Sequence, residues 1–227
     1  MAMLLLSISF CTGQPVHAQD AHLSGLVTAE PRVKPASDGE GGGAYGSRGL
    51  EYAVKFDYSH LKNVVVYAEP ISPVPSSPSG EDVTIRKSGD NLRVDPAFST
   101  IPTGASLTFK NETGKVLDLY ALPGSADSLR LTINPGSSKP VTMTTIGLYQ
   151  IRCLQSPDLA AKIFVAGPYF SMADAQGRYS LDLREGKYRV TAWHERLPSH
   201  TEDVDVKAGE DRQINFDLSV KQLPEVQ

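Results

Sequence analysis

Sulfur and indole are scarce in this chain, with two cysteines and one tryptophan among 227 residues. Two thiols cannot build a disulfide framework or a four-thiolate metal site. Past the first dozen residues, no apolar run is long enough to cross a bilayer as a helix. Charge of one sign is lacking as well. The 22 Lys and Arg stand against 26 Asp and Glu, for a formal net charge of −4, so the basic footprint that nucleic acid requires is missing. Enzyme motifs are missing too: there is no G-x-S-x-G elbow, H-E-x-x-H, phosphate loop, or G-x-G-x-x-G between strand and helix. Gly41-Gly42-Gly43 lacks the Lys-Ser/Thr of a phosphate loop and reads as a flexible loop. Glu202-Asp203 and Glu210-Asp211 flank strands and read as solvated turn charges, with no environment to make either an acid or a base. The expectation is a protein that is not an enzyme.

What is present is a foldable globular chain. Apolar residues make up 40 % and charged residues 21 %, outside the range of disordered chains. The 19 glycines and 16 prolines suggest many turns. The length fits one large domain or two small ones. Residues 1–18 read as an export signal. An apolar stretch from Met1 to Phe10 leads to Val16-His17-Ala18, a small-x-small cleavage pattern, and then to polar Gln19-Asp20. No basic n-region precedes it, which points to a misplaced start or a lost N-terminus, and the competing reading is a buried first strand. Phe10 stands before Cys11 where a lipoprotein anchor has a small residue, so a signal peptide rather than a lipid anchor is the expectation. Cleavage after Ala18 would leave Cys153 alone in the mature chain, as a buried small hydrophobe, a reactive thiol or a metal ligand.

Strands dominate the rest. A first strand lies over 22–30. A Gly-rich loop from Pro31 to Gly49 follows, then a strand over Glu51–Tyr58 and the β-branched run Val64-Val65-Val66-Tyr67, which favours a buried strand. Pro70, Pro73, Pro75 and Pro78 mark a second linker-like loop. Short strands then recur at sandwich-like spacing from Val83 to Val165. The one helical turn expected is Ser156-Pro157-Asp158-Leu159, with Ser as cap and Pro at the first helical position. In the last sixty residues, Tyr179, Leu181 and Leu183 share one face, and Tyr188, Val190 and Ala192 another. Val204 and Val206 precede a turn, and Ile214, Phe216, Leu218 and Val220 close the series. These strands need a partner layer, so this half is a small sandwich or packs on the first half.

Two stretches resemble a family of exported bacterial proteins that join a cupredoxin-like (plastocyanin-type) sandwich to a carboxypeptidase-regulatory-like (transthyretin-type) sandwich. The first is Ile101-Pro102-Thr103-Gly104-Ala105-Ser106-Leu107-Thr108-Phe109-Lys110-Asn111, similar to the cupredoxin strand before the first copper ligand. The second is Pro168-Tyr169-Phe170, then Asp174-Ala175-Gln176-Gly177-Arg178-Tyr179, then Gly186-Lys187-Tyr188-Arg189-Val190-Thr191-Ala192-Trp193-His194. The resemblance implies an all-β chain in four parts: the signal over 1–18, opening strands with the Gly-rich loop over 22–69, a cupredoxin-like sandwich over 83–167, and a small regulatory-like sandwich over 168–220. Tyr169 and Phe170 are expected to fill the seam between the sandwiches.

A mononuclear blue-copper site takes two imidazoles, a thiolate and a weak axial Met. The matching positions here depart from that set. After Asn111 the chain reads Glu112-Thr113-Gly114-Lys115-Val116-Leu117-Asp118, without histidine. The later loop keeps Cys153, but Ser156 stands where the second His belongs and Leu159 where the Met belongs. His22, His60, His194 and His200 are not spaced to pair with Cys153, and Met143 reads as core. The expectation is a lost copper site and no cofactor, with Cys153 as the residual metal candidate. Trp193 and His194 are the candidate polar or interaction site, against the plainer reading of a strand-end histidine that bonds a turn.

Three functions stay open at this point. One is an exported, non-enzymatic accessory or structural subunit that binds another envelope or extracellular protein, a multihaem cytochrome or outer-membrane assembly among the candidates. Another is a carbohydrate- or cell-wall-binding module using Tyr45, Tyr52, Tyr58 or Trp193. The last is a copper or electron-transfer protein with an atypical site at Cys153. The expected location is periplasmic, extracellular or outer-membrane associated, with no membrane span in the mature chain.

Overall fold

A computed structural model describes residues 20–30, 58, 61–72, 81–88 and 91–219. The export signal, nearly all of the expected 51–58 strand, the Gly-rich loop, most of the Pro-rich loop, Tyr45, Tyr52, His60 and Val220 lie outside the described residues.

Every regular element among the described residues is a strand. Two come early, β1 (Ala21–Thr28) and β2 (Val65–Pro70). Nine follow: β3 (Glu81–Ser88), β4 (Asn91–Asp95), β5 (Phe98–Pro102), β6 (Ser106–Asn111), β7 (Leu117–Ala121), β8 (Arg130–Ile133), β9 (Ser138–Thr142), β10 (Gly147–Cys153) and β11 (Ser156–Ala166). The last six are β12 (Tyr169–Met172), β13 (Arg178–Leu183), β14 (Gly186–His194), β15 (Leu197–Val206), β16 (Asp211–Gln213) and β17 (Phe216–Asp217).

Two sandwiches result. In the first, the sheet β5-β11-β10-β7-β8 faces the sheet β4-β3-β6-β9. Alternation along each strand sends Val83, Ile85, Leu107 and Phe109 from one sheet to meet Leu117, Leu119, Ile151, Ile163 and Val165 from the other. In the second, the sheet β12-β2-β14-β15 faces β13-β1-β16, with β17 beside β1. Its core joins Val66, Ala68, Tyr188 and Val190 to Leu23, Leu181, Leu183 and Phe216.

The opening strands do not pair with each other. β1 runs antiparallel to β13 and parallel to β16 and β17, while β2 lies between β12 and β14. The second sandwich is therefore discontinuous in sequence: residues 20–30 and 61–72 complete the layers that the C-terminal strands lack. The apolar face of Tyr179, Leu181 and Leu183 gains β1 as a neighbour, and that of Tyr188, Val190 and Ala192 gains β2. Glycine makes the β1 packing possible. A Cβ on Gly25 would stand 1.7 Å from the Ile214 carbonyl oxygen, the acceptor of the Tyr179 hydroxyl at 2.8 Å.

The expected helical turn at 156–159 is strand. Leu154 and Gln155 close a two-residue turn that sets Ser156 opposite Cys153. The register then slips so that Arg152 faces Ala160, and Pro157 falls in the irregularity, where its missing N–H costs no ladder bond.

Residues 65–68 of β2 and 163–166 of β11 are buried on both faces. Val66 and Ala68 serve the second core, whereas Val65 and Tyr67 turn outward to meet Phe164 and Ala166 of β11. Ile163 and Val165 serve the first core. Phe98, Ile146, Leu148, Phe170 and Trp193 pack around this join. The two sandwiches are thus held by a third apolar layer, made where the apolar runs 64–68 and 163–166 meet.

Candidate functional site

Two places gather the residues that the sequence singled out. The first is the end of the first sandwich that holds Asn111, Asp118 and Cys153. Asn111 closes β6, and its buried carboxamide is fully bonded. Nδ2 donates to the carbonyls of Lys115 at 2.8 Å and Ile133 at 2.9 Å. Oδ1 accepts from the Thr113 amide at 2.9 Å and its hydroxyl at 2.7 Å. This network fixes the 112–115 turn and leaves no free amide nitrogen, so Asn111-Glu112-Thr113 cannot serve as a glycosylation acceptor in the folded chain.

Cys153 ends β10 and is 1 % exposed within the first core. Its thiol donates to Gln155 Oε1 at 3.3 Å. The same oxygen accepts from the Asp118 amide at 2.8 Å, and Gln155 Nε2 donates back to Asp118 Oδ2 at 2.6 Å. Thr132 Oγ1 donates to Asp118 Oδ1 at 2.6 Å. Hydrogen bonds from Thr132 and Gln155 hold the Asp118 carboxyl below the usual range. Gln155 was not singled out by the sequence, although it sits two residues from the cysteine. Its carboxamide occupies both the strand amide and the thiol.

The donor set here does not fit a blue-copper ion. Leu159 is buried in the apolar core, Ser156 is a ladder residue opposite Cys153, and the 112–118 segment offers Glu112 and Asp118, each already bonded to a side chain. Met143 belongs to the same buried core as Cys153. The described histidines His22, His194 and His200 all sit on strands of the second sandwich. Among the described residues, no three His, Cys, Asp or Glu side chains group so as to hold a metal ion.

The second place is the seam, where the candidates Trp193 and His194 end β14. Trp193 stacks on Phe164 with ring centroids 4.0 Å apart and planes 23° apart. One face of the indole is therefore spent on the first sandwich. Tyr67 also approaches Phe164, tilted by 54° at 5.8 Å. Burial raises the Tyr67 phenol, against a hydrogen bond with Thr191. The Tyr169-Phe170 pair divides, because neighbouring strand residues point to opposite faces. Phe170 packs in the seam, whereas Tyr169 turns into the second core edge-on to Tyr188 at 5.7 Å.

His194 is 7 % exposed. Its Nδ1 accepts the Arg196 amide at 3.1 Å, and the ring also bonds the Lys62 main chain. Burial holds the imidazole below its ordinary value, opposed by Glu195 and by the Lys62 bond. Glu195 reaches across the seam, taking both its oxygens to Lys162 Nζ of β11 at 2.6 and 2.7 Å. Neither Glu195 nor Lys162 stood out in the sequence, since two charges 33 residues apart carry no local signal.

No family model matches the chain, and no curated protein matches it. Several solved structures are similar to part of the chain. A purple cupredoxin from Nitrosopumilus maritimus is 17 % identical and covers 38 % of this chain and 99 % of its own, with a TM-score of 0.32. Amicyanin is 18 % identical over 44 % of this chain and 98 % of its own, at 0.34. Pseudoazurin from Methylobacterium extorquens is 20 % identical over 38 % of this chain and 75 % of its own, at 0.32. At these values the description of the fold rests on the strand pairing itself: an all-β chain of two stacked sandwiches.

Proposed function

We propose that this protein is an exported, non-enzymatic double β-sandwich that works through its surfaces, as an accessory or structural subunit bound to another envelope or extracellular protein. It lies in the periplasm or at the outer membrane or cell exterior, and its first sandwich is a cupredoxin-like scaffold without the copper chemistry. The observation that carries the reading is the state of Cys153, a core thiol capped by a carboxamide where a blue-copper protein would need an open thiolate among imidazoles. The Trp193–Phe164 seam supports it, because it presents two sandwiches to a partner as one unit.

Cross-linking in intact cells of the source organism, followed by purification under denaturing conditions, tests the reading. The expected result is one adduct of reproducible mass containing this chain. Recovery of the chain alone, as a monomer without any adduct, overturns it.

A further inference from the structure

Three consecutive residues, Trp193 and His194 at the end of β14 and Glu195 in the turn after it, have separate tasks. Trp193 and Glu195 both engage β11 of the first sandwich, through the Phe164 stack and the Lys162 pair. His194 lies between them, on the opposite face by strand alternation. It ties the β14–β15 turn to itself through Arg196 and to the Lys62 segment ahead of β2.

We propose that His194 is a proton-operated latch on the seam: taking up a proton, it releases the β14–β15 turn and lets the sandwiches part at Trp193 and Phe164. An imidazole protonated at Nδ1 cannot accept the Arg196 N–H, so the bond that shapes the turn is lost. The new charge would sit at a position with almost no water access. Of the charged groups around it, Arg196 on the turn and Lys162 on β11 oppose the proton. Glu195 favours it but is committed to Lys162. Lys62, ahead of β2, meets the ring through its main chain. The closed state therefore binds the proton more weakly than the released state, and each proton taken up favours release. The latch is shut above the ordinary histidine range of about 6.5 and opens as pH falls below it.

The chain carries one tryptophan, so Trp193 emission reads the seam directly. The full protein is titrated from neutral to mildly acidic pH while emission, acrylamide quenching and far-UV circular dichroism are followed. Expected are a red shift and easier quenching with the dichroism unchanged, both abolished in His194→Asn and retained in His200→Gln. Emission that does not move, a shift that survives in H194N, or dichroism that falls in step with the emission overturns the proposal. Should H194N fail to fold or sit open at every pH, nitrogen NMR of the wild-type histidine rings decides. The His194 ring must titrate with the emission midpoint, and a ring that stays neutral through the emission change overturns the latch.

Discussion

Trp193 of the second sandwich lies flat on Phe164 of the first, 4.0 Å between ring centroids, and this pair is the centre of the layer that joins the two halves. Phe164 is 1 % exposed, so Phe164→Ala is expected to cost about 3–5 kcal/mol, the usual range for truncating a buried phenylalanine. Urea unfolding followed by Trp193 emission measures it. Phe170→Ala, at a half-buried position of the same layer, is expected to cost about 1–2 kcal/mol. Equal losses for the two variants would mean that the seam is not centred on this stack.

The carboxamide of Asn111 closes four hydrogen bonds without access to water. Asn111→Ala strands two carbonyls and the Thr113 donors, and a loss of about 2–4 kcal/mol is expected from unmet buried polar groups. Chemical denaturation gives the value.

Gly177 adopts φ +81° in the hairpin after β12, and a Cβ there would stand 2.3 Å from the Val27 carbonyl oxygen. Gly177→Ala is therefore expected to lose at least the roughly 1–2 kcal/mol of a left-handed backbone, read as a drop in thermal midpoint. Asp174 begins the same hairpin. Its Oδ1 accepts the Gln176 and Arg178 amides at 2.9 Å, and its Oδ2 the Arg178 guanidinium at 2.8 Å. The Arg178 amide and then the Arg178 side chain hold the carboxyl below its ordinary value. A depressed carboxyl stabilises the fold above the ordinary Asp range of about 3.9 and loses that contribution as pH falls through the lower folded value. Asp174→Asn is expected to flatten the acid limb of the thermal midpoint against pH. An unchanged limb would mean that the hairpin bonds are not formed in solution.

Much of this architecture was legible in particular residues. The alternation of Tyr179, Leu181 and Leu183 and of Tyr188, Val190 and Ala192 marks their core faces, because period two is a local property. The Asp174-to-Gly177 hairpin was legible for the same reason. Partner choice was not. Whether Val65 and Tyr67 meet β11 depends on strands about a hundred residues away, and no local pattern carries that pairing. The unbroken apolar runs at 64–68 and 163–166 did hold a clue, since a segment buried on both faces cannot alternate. Ser156-Pro157-Asp158 misled because a cap-like Ser-Pro also suits a bulge after a two-residue turn. At the Cys153 end, the lack of imidazoles was plain in the sequence, but the Gln155 cap on the thiol depends on Asp118 of a neighbouring strand.

Cys153 itself is expected to resist a thiol reagent in the native protein and to label fully on unfolding, as a buried thiol without an activating cation does. Gln155→Ala uncovers the sulfur and is expected to speed native labelling without changing the denatured rate. Rapid labelling of the wild-type fold would contradict the capped geometry.

Copper titration of the mature protein with visible absorption reaches the central claim most directly. A core thiol capped by Gln155, without an imidazole partner among the described residues, predicts no stoichiometric copper uptake and no intense blue or violet band, with Cys153→Ser indistinguishable from wild type. A one-to-one coloured adduct that disappears in C153S would contradict the account and make electron transfer the function to pursue.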